Sequence, residues 1–93
     1  MKIPDYIAFR LPDLHHGGMG IEILSSDPQK IQGFNEKCLL YFHGRKEYQA
    51  FHQGSAPDWS YFECWADYIT VQDGLMNLVL DLGSELGLET CIK

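Results

Sequence analysis

Apolar side chains at every second position predict a strand near the start of the chain. The strand covers Ile3 to Leu11 and ends at Pro12, because a proline has no backbone N–H to donate to a neighbouring strand. Its two faces carry Tyr6, Ala8 and Arg10 on one side, and Ile7, Phe9 and Leu11 on the other. A second apolar run, Ile21 to Leu24, predicts a strand that pairs antiparallel with the first.

A helix is predicted to follow these strands. Asp27 before Pro28 is typical of a helix start, since a capping side chain is followed by a proline at the first helical position. The apolar residues then recur at helical spacing, at Ile31, Phe34, Cys38 and Phe42. We therefore expect a helix from Pro28 to about Leu40, although the glycine at position 33 disfavours it.

The middle of the chain allows more than one interpretation. Segments 39–43 and 47–52 fit either a hairpin or the end of a longer helix. Gln53–Pro57 has the composition of a loop. In segment 58–70, Ser60 and Glu63 form a capping box ahead of a helix, but the same residues also alternate as a strand would.

The last third of the chain favours a helix that ends at Gly87. Four apolar residues share one helical face and three polar residues share another: Leu75, Val79, Leu82 and Leu86, against Asn77, Asp81 and Glu85. Gly87 stands where a left-handed capping residue belongs. A hairpin turning at Asp73-Gly74 is the competing interpretation, and Glu89–Ile92 predicts an edge strand.

These elements together predict an α+β fold in a small single domain, residues 1–93. We expect two to four mostly antiparallel strands, with two or three helices packed on one face. No apolar run approaches the ~20 residues of a membrane-spanning helix. The N-terminus also lacks the apolar stretch of a secretory signal, so a cytoplasmic protein without a membrane partner is expected.

Charge is unevenly distributed along the chain. Thirteen acidic residues against seven Lys and Arg give a net charge of −6. From Glu47 to Ile92 there is no Lys or Arg, whereas residues 30–46 carry four basic side chains and one acidic one. The second half should therefore project a negative field, which repels phosphate backbones and argues against direct nucleic-acid binding. A basic segment folded against the acidic half would weaken this field.

Candidate catalytic and metal sites are weak in this sequence. The three cysteines, Cys38, Cys64 and Cys91, lie at least 26 positions apart, unlike the close pairs that bind zinc. We expect them to be reduced thiols packed as small hydrophobic residues. The Gly17–Gly20 loop matches no nucleotide-binding fingerprint. We accordingly predict no catalytic residues, no metal and no cofactor, and a protein that is not an enzyme.

Aromatic residues within the acidic half are the strongest candidate binding site. Five rings fall within ten positions, at Trp59, Tyr61, Phe62, Trp65 and Tyr68. Rings at these spacings cannot all face one core, so one or two should reach the surface beside carboxylates, as interface anchors do. The predicted partner-binding residues are Asp58, Trp59, Tyr61, Glu63, Asp67, Asp81 and Glu85.

These features favour an acidic protein-binding module that occupies a basic surface of another protein. Immunity proteins, antitoxins and anti-defence proteins work in this way, and their targets include nucleic-acid-acting enzymes and toxins with positively charged clefts. One alternative is a homo-oligomeric structural or accessory subunit, such as a homodimer, with its surplus aromatics buried at a symmetric interface. A third is a small metalloprotein or enzyme with a composite Cys/His site.

Overall fold

The computed structural model describes residues 5–10, 19–43, 48–66 and 68–92, and only the backbone in segments 48–56, 65–66 and 68–71. In chain order the elements are β1 (Tyr6–Arg10), β2 (Met19–Leu24), α1 (Pro28–Phe42), β3 (Tyr48–Ala56), β4 (Trp59–Ala66), α2 (Tyr68–Leu86) and β5 (Glu89–Ile92). No helix in these ranges is both long enough and apolar enough to cross a membrane.

The strands form one five-stranded sheet in the order β3-β4-β2-β1-β5. Strand β2 is antiparallel to both β1 and β4, and β3 is antiparallel to β4, while β5 runs parallel to β1. The predicted α+β class, with two helices on a mostly antiparallel sheet, is confirmed. The sheet has one strand more than the two to four expected, because segments 48–56 and 59–66 both pair as strands.

The hydrophobic core lies between the sheet and the two helices. Alternate residues of the three central strands face this core: Ile7 and Phe9, Met19, Ile21 and Ile23, and Phe62 and Cys64. The helices contribute the rest of the fully or largely buried cluster: Ile31, Phe34, Cys38 and Phe42 from α1, and Leu75, Leu78, Val79 and Leu82 from α2. The side of the sheet away from the helices is called the second face below.

Helix α1 begins where the sequence indicated. Asp27 caps it, with its carboxylate accepting a hydrogen bond from the Gln29 backbone N–H at 2.9 Å, and Pro28 takes the first helical position. Its buried residues are the four of the predicted apolar stripe, and it ends at Phe42, two residues beyond the expected end. Gly33 lies in the helix interior, beside Leu86 of α2.

Helix α2 confirms the predicted helix and excludes a hairpin at Asp73-Gly74, which lies inside it. Gly87 has a φ of 67°, the left-handed conformation expected of the capping residue. The Leu88 backbone N–H donates to the Gly83 carbonyl at 3.0 Å, which closes the helix end. The chain then enters β5, the predicted edge strand.

In the middle of the chain one prediction is wrong, and one of the two interpretations of segment 58–70 is excluded over residues 59–66. Gln53–Pro57 is not a loop, because β3 continues to Ala56 and the turn is at Pro57–Asp58. Ser60 and Glu63 do not form a capping box, since both lie within β4. Ser60 is fully buried there, and its hydroxyl donates to the Asn35 side-chain carbonyl of α1. The first half of the Gly17–Gly20 loop lies outside the described residues, and its last two residues, Met19 and Gly20, belong to β2.

Candidate functional site on the second face of the sheet

Strand alternation in the first part of β4, residues 59–64, separates its aromatic residues onto two sides. Phe62 is fully buried in the core, 5.7 Å from the Phe34 ring and 5.9 Å from the Phe42 ring. Its neighbours Trp59, Tyr61 and Glu63 are half-buried and lie on the second face. Of the five rings in this segment, Phe62 therefore lies in the core and Trp59 and Tyr61 lie on the second face, whereas the side chains of Trp65 and Tyr68 lie outside the described residues.

Trp59 and Tyr61 form a ring pair on the second face. Their centroids are 4.7 Å apart with planes tilted by 31°. The guanidinium carbon of Arg10, from β1, lies 6.0 Å from the Tyr61 centroid. This distance is at the outer limit of a cation–π contact, so the Tyr61 ring presents a π-surface that already attracts a cation.

Glu22 lies beside this ring pair and positions the Trp59 indole. Its position in β2 pairs with Tyr61, and the residue is only 5% exposed. The carboxylate accepts hydrogen bonds from the Trp59 indole Nε1 at 2.8 Å and the Tyr6 hydroxyl at 3.5 Å. A carboxylate removed from water is costly unless it is hydrogen-bonded, so these donors stabilise it, and it in turn fixes the indole.

Asp58 stands at the edge of the second face, in the turn between β3 and β4. Its side chain is exposed, and its backbone carbonyl accepts from the Ser25 N–H at 3.0 Å. The Ser25 hydroxyl donates to Asp5 and accepts from the Asp27 N–H, each at 3.0 Å. This network ties the turn to the start of α1, so that Asp58 is held next to Trp59.

The remaining predicted site residues lie elsewhere. Asp81 and Glu85 are exposed on the outer side of α2, across the sheet from Trp59 and Tyr61. Glu85 forms an ion pair with Lys37 of α1, so the basic segment does neutralise part of the acidic half. Asp67 lies outside the described residues. The structure therefore brings together Asp58, Trp59, Tyr61 and Glu63, and separates them from Asp81 and Glu85.

Tyr6, Arg10 and Glu22 also belong to this site, although they are not among the residues that the sequence predicted. Alternation had placed Tyr6 and Arg10 on one strand face, which was a usable signal. What was missing was the register of β2 against β4, which brings Glu22 and Tyr61 together across 39 positions of sequence.

The cysteines differ in their surroundings. Cys38 and Cys64 are fully buried, as predicted for small hydrophobic residues, whereas Cys91 is exposed in β5. Burial raises the pKa of the Cys38 thiol far above its ordinary value. Burial, together with the nearby Glu63 carboxylate, raises the pKa of Cys64 from 9.0 to about 12. Neither buried thiol is therefore a nucleophile at neutral pH. Among the described residues, no group of three or more His, Cys, Asp or Glu could hold a metal ion.

The raised thiol pKa predicts a loss of stability at alkaline pH. Above pH 9 the Cys64 thiol ionises in the unfolded chain, but its pKa of about 12 keeps it protonated in the folded one. The unfolded state then binds fewer protons, so the free energy of unfolding falls by up to about 1.4 kcal/mol per pH unit for each such thiol.

Urea denaturation of the wild type and of Cys64→Ala between pH 8 and pH 11 measures this effect. The alanine variant should be less stable at pH 8, because it leaves a small cavity. Its stability should then decline less steeply with pH than that of the wild type. Parallel pH profiles for the two proteins would contradict the prediction.

Comparison with known proteins gives no relative for this chain. No family model, no curated protein and no solved structure matches it. Its function is therefore inferred from the chemistry of the second face.

Proposed function

We propose that this protein is an acidic protein-binding module, most simply an inhibitor that occupies a basic surface of another protein. Immunity proteins, antitoxins and anti-defence proteins are the kinds of inhibitor meant. The observation that carries the proposal is the half-exposed Trp59–Tyr61 ring pair, 4.7 Å between centroids, with Asp58 and Glu63 beside it.

The ring pair has the properties of an interface anchor. Trp and Tyr are enriched among the residues that dominate binding energy, because they bury a large area with few rotatable bonds. The bond from the Trp59 indole to Glu22 holds one ring in place before binding. An anchor that is already ordered loses less conformational entropy when a partner covers it.

The carboxylates beside the ring pair give the surface its preference for a basic partner. Asp58 and Glu63 belong to a stretch of 46 residues, Glu47–Ile92, that contains no Lys or Arg. Oppositely charged surfaces accelerate encounter and make association sensitive to salt. The contact of Arg10 with Tyr61 suggests what a partner's arginine would do at the same rings.

The separation of the acidic residues provides a matched pair of charge variants. Asp58→Asn/Glu63→Gln removes two negative charges beside the ring pair, and Asp81→Asn/Glu85→Gln removes two from the outer side of α2. The tagged wild type is used to capture basic proteins from its own source. Association rates of the purified captured protein are then measured with each variant at low and high salt.

We expect the Asp58/Glu63 variant to associate roughly tenfold more slowly at low salt, with a flatter salt dependence. The Asp81/Glu85 variant should stay within about twofold of the wild type, because its charges lie on the other side of the sheet. Tyr61→Ala should mainly increase the dissociation rate. Equal effects of the two charge variants, or capture of no basic protein, would overturn the proposal.

A further inference from the structure

We infer that the β5 edge of the sheet is a self-association surface, on which a second copy of this chain pairs β5 against β5 in antiparallel orientation. Strand β5 ends the sheet, and all four of its residues are exposed. In the described part of the chain its outer edge has no strand beside it. Natural sheets usually protect such an edge with lysine or proline, and Glu89–Ile92 contains neither.

An apolar groove of about 380 Å³ runs along this edge, between β5 and α2. Its lining carries no charged side chain and consists of Phe9, Met76, Val79, Leu80, Thr90, Cys91 and Ile92. Leu80 is 58% exposed and Ile92 57%, which makes them two of the largest apolar exposures among the described residues. Two exposed bulky apolar side chains in one uncharged groove are typical of a surface that another chain covers.

Charge favours a second copy as the occupant. A basic partner would be attracted to the carboxylates of the second face, whereas the groove contains no carboxylate. Two copies that each carry a net charge of −6 repel one another, and this repulsion is smallest where the facing surfaces are uncharged. Glu89, the charged residue of β5, pairs with Tyr6 and so lies on the second face, away from the groove.

The strand alternation selects one register for the pairing. Thr90 and Ile92 share the helix side of the sheet with Ile7 and Phe9, because β5 pairs with β1 in that register. If Cys91 of one copy lies opposite Cys91 of the other, Thr90 of each copy lies opposite Ile92 of the other copy. Both of these β-branched residues then lie within the ladder. Both helix layers then lie on the same side, and Leu80 of each copy packs over the other copy's Ile92.

The interface is small, so the dimer should be weak. A four-residue strand and one side of α2 bury less than the roughly 800 Å² per partner of a standard interface. We therefore expect a dissociation constant in roughly the micromolar range. The inference does not depend on the proposed partner-binding function, because its test uses the purified protein alone.

Sedimentation velocity of the reduced protein, from about 5 to about 500 µM, measures the self-association. Leu80→Asp and Ile92→Asp should each weaken it at least tenfold, since each change occurs twice in the dimer and buries a carboxylate. Leu40→Asp is the matched control: Leu40 is 78% exposed on α1, and its replacement adds the same charge. It should leave the association within about twofold of the wild type.

Cross-linking tests the register. Diamide accepts two electrons and two protons when it joins two thiols as a disulfide, and Cys91 is the exposed cysteine. The register predicts an efficient Cys91–Cys91 dimer that Cys91→Ser abolishes, because opposed residues lie within disulfide reach. A monomer at all concentrations, an equal effect of Leu40→Asp, or a dimer that does not cross-link through Cys91 would overturn the inference.

Discussion

Replacing Phe62 by alanine is expected to lower the free energy of unfolding by about 4 kcal/mol. The side chain is fully buried at the point where β4 meets α1, with the Phe34 ring 5.7 Å away and the Phe42 ring 5.9 Å away. Alanine would remove the apolar contact and leave a cavity that two rigid rings cannot fill. The total free energy of unfolding of a domain of this size is roughly 5–15 kcal/mol, so the expected loss is a large fraction of it.

Thermal denaturation followed by circular dichroism measures the effect of this change. For a domain of this length, a loss of about 4 kcal/mol corresponds to a melting temperature lower by roughly 20 °C. Tyr61→Ala is the matched control on the neighbouring position, and should cost only about 1–2 kcal/mol because its ring is half-exposed. Similar losses for the two variants would mean that the alternation in β4 is wrong.

The helices could be predicted because their signals are local. At α1, the cap at Asp27, the proline at position 28 and the apolar stripe all lie within sixteen residues and agree with one another. At α2, Gly87 marks the end, and its φ of 67° is a property of that position alone. Signals of this kind need no knowledge of the rest of the fold.

The strands of the middle segment could not be predicted, because pairing decides them. Aromatic residues in segment 58–66 suit a helix or a strand equally. Their strand conformation follows from hydrogen bonds to β2, in which Ile21 pairs with Phe62. Gln53 and Gly54 have loop composition, yet they pair with Phe62 and Tyr61 across β3 and β4. Contacts between residues distant in sequence therefore override local preference here.

The candidate site shows the same division. The number and spacing of the rings in segment 59–68 were sufficient to predict, for a helix or a strand, that some of them would leave the core. Which residues surround those rings depends on the register of three strands, β1, β2 and β4. That register places Arg10 and Glu22 next to Tyr61. Asp81 and Glu85 were grouped with them on charge alone, and charge in a sequence does not specify a side of the sheet.

The proposed self-association has a consequence for the proposed binding function. With Cys91 opposite its copy, both second faces lie on the same side of a continuous ten-stranded sheet. Seven strand spacings then separate the two Trp59–Tyr61 pairs, or roughly 34 Å at about 4.8 Å per strand. A partner with two basic sites at that spacing would bind both Trp59–Tyr61 pairs at once. This avidity would strengthen partner binding and stabilise the weak dimer.

Gly20 is the position at which we expect the largest effect of a single added methyl group. A Cβ atom built there would collide with the Phe62 backbone carbonyl oxygen and lie 3.3 Å from the Glu63 Cα. Both obstacles are backbone atoms of β4, so no side-chain rotation can relieve them. Gly20→Ala must move β2 away from β4 and weaken the ladder that carries Trp59, Tyr61 and Glu63.

We expect Gly20→Ala to lower the free energy of unfolding by about 3 kcal/mol, at the upper end of the usual cost of overpacking. Gly33→Ala is the matched control, because the atom near its added Cβ is the Leu86 Cδ2 at 3.2 Å, the end of a half-buried side chain. That variant gains helix propensity worth up to about 1 kcal/mol, so it should be neutral or slightly stabilised. Urea denaturation compares the two. A Gly20→Ala protein as stable as the wild type would show that β2 and β4 do not approach as closely as their register requires, and the geometry of the second face would have to be revised with it.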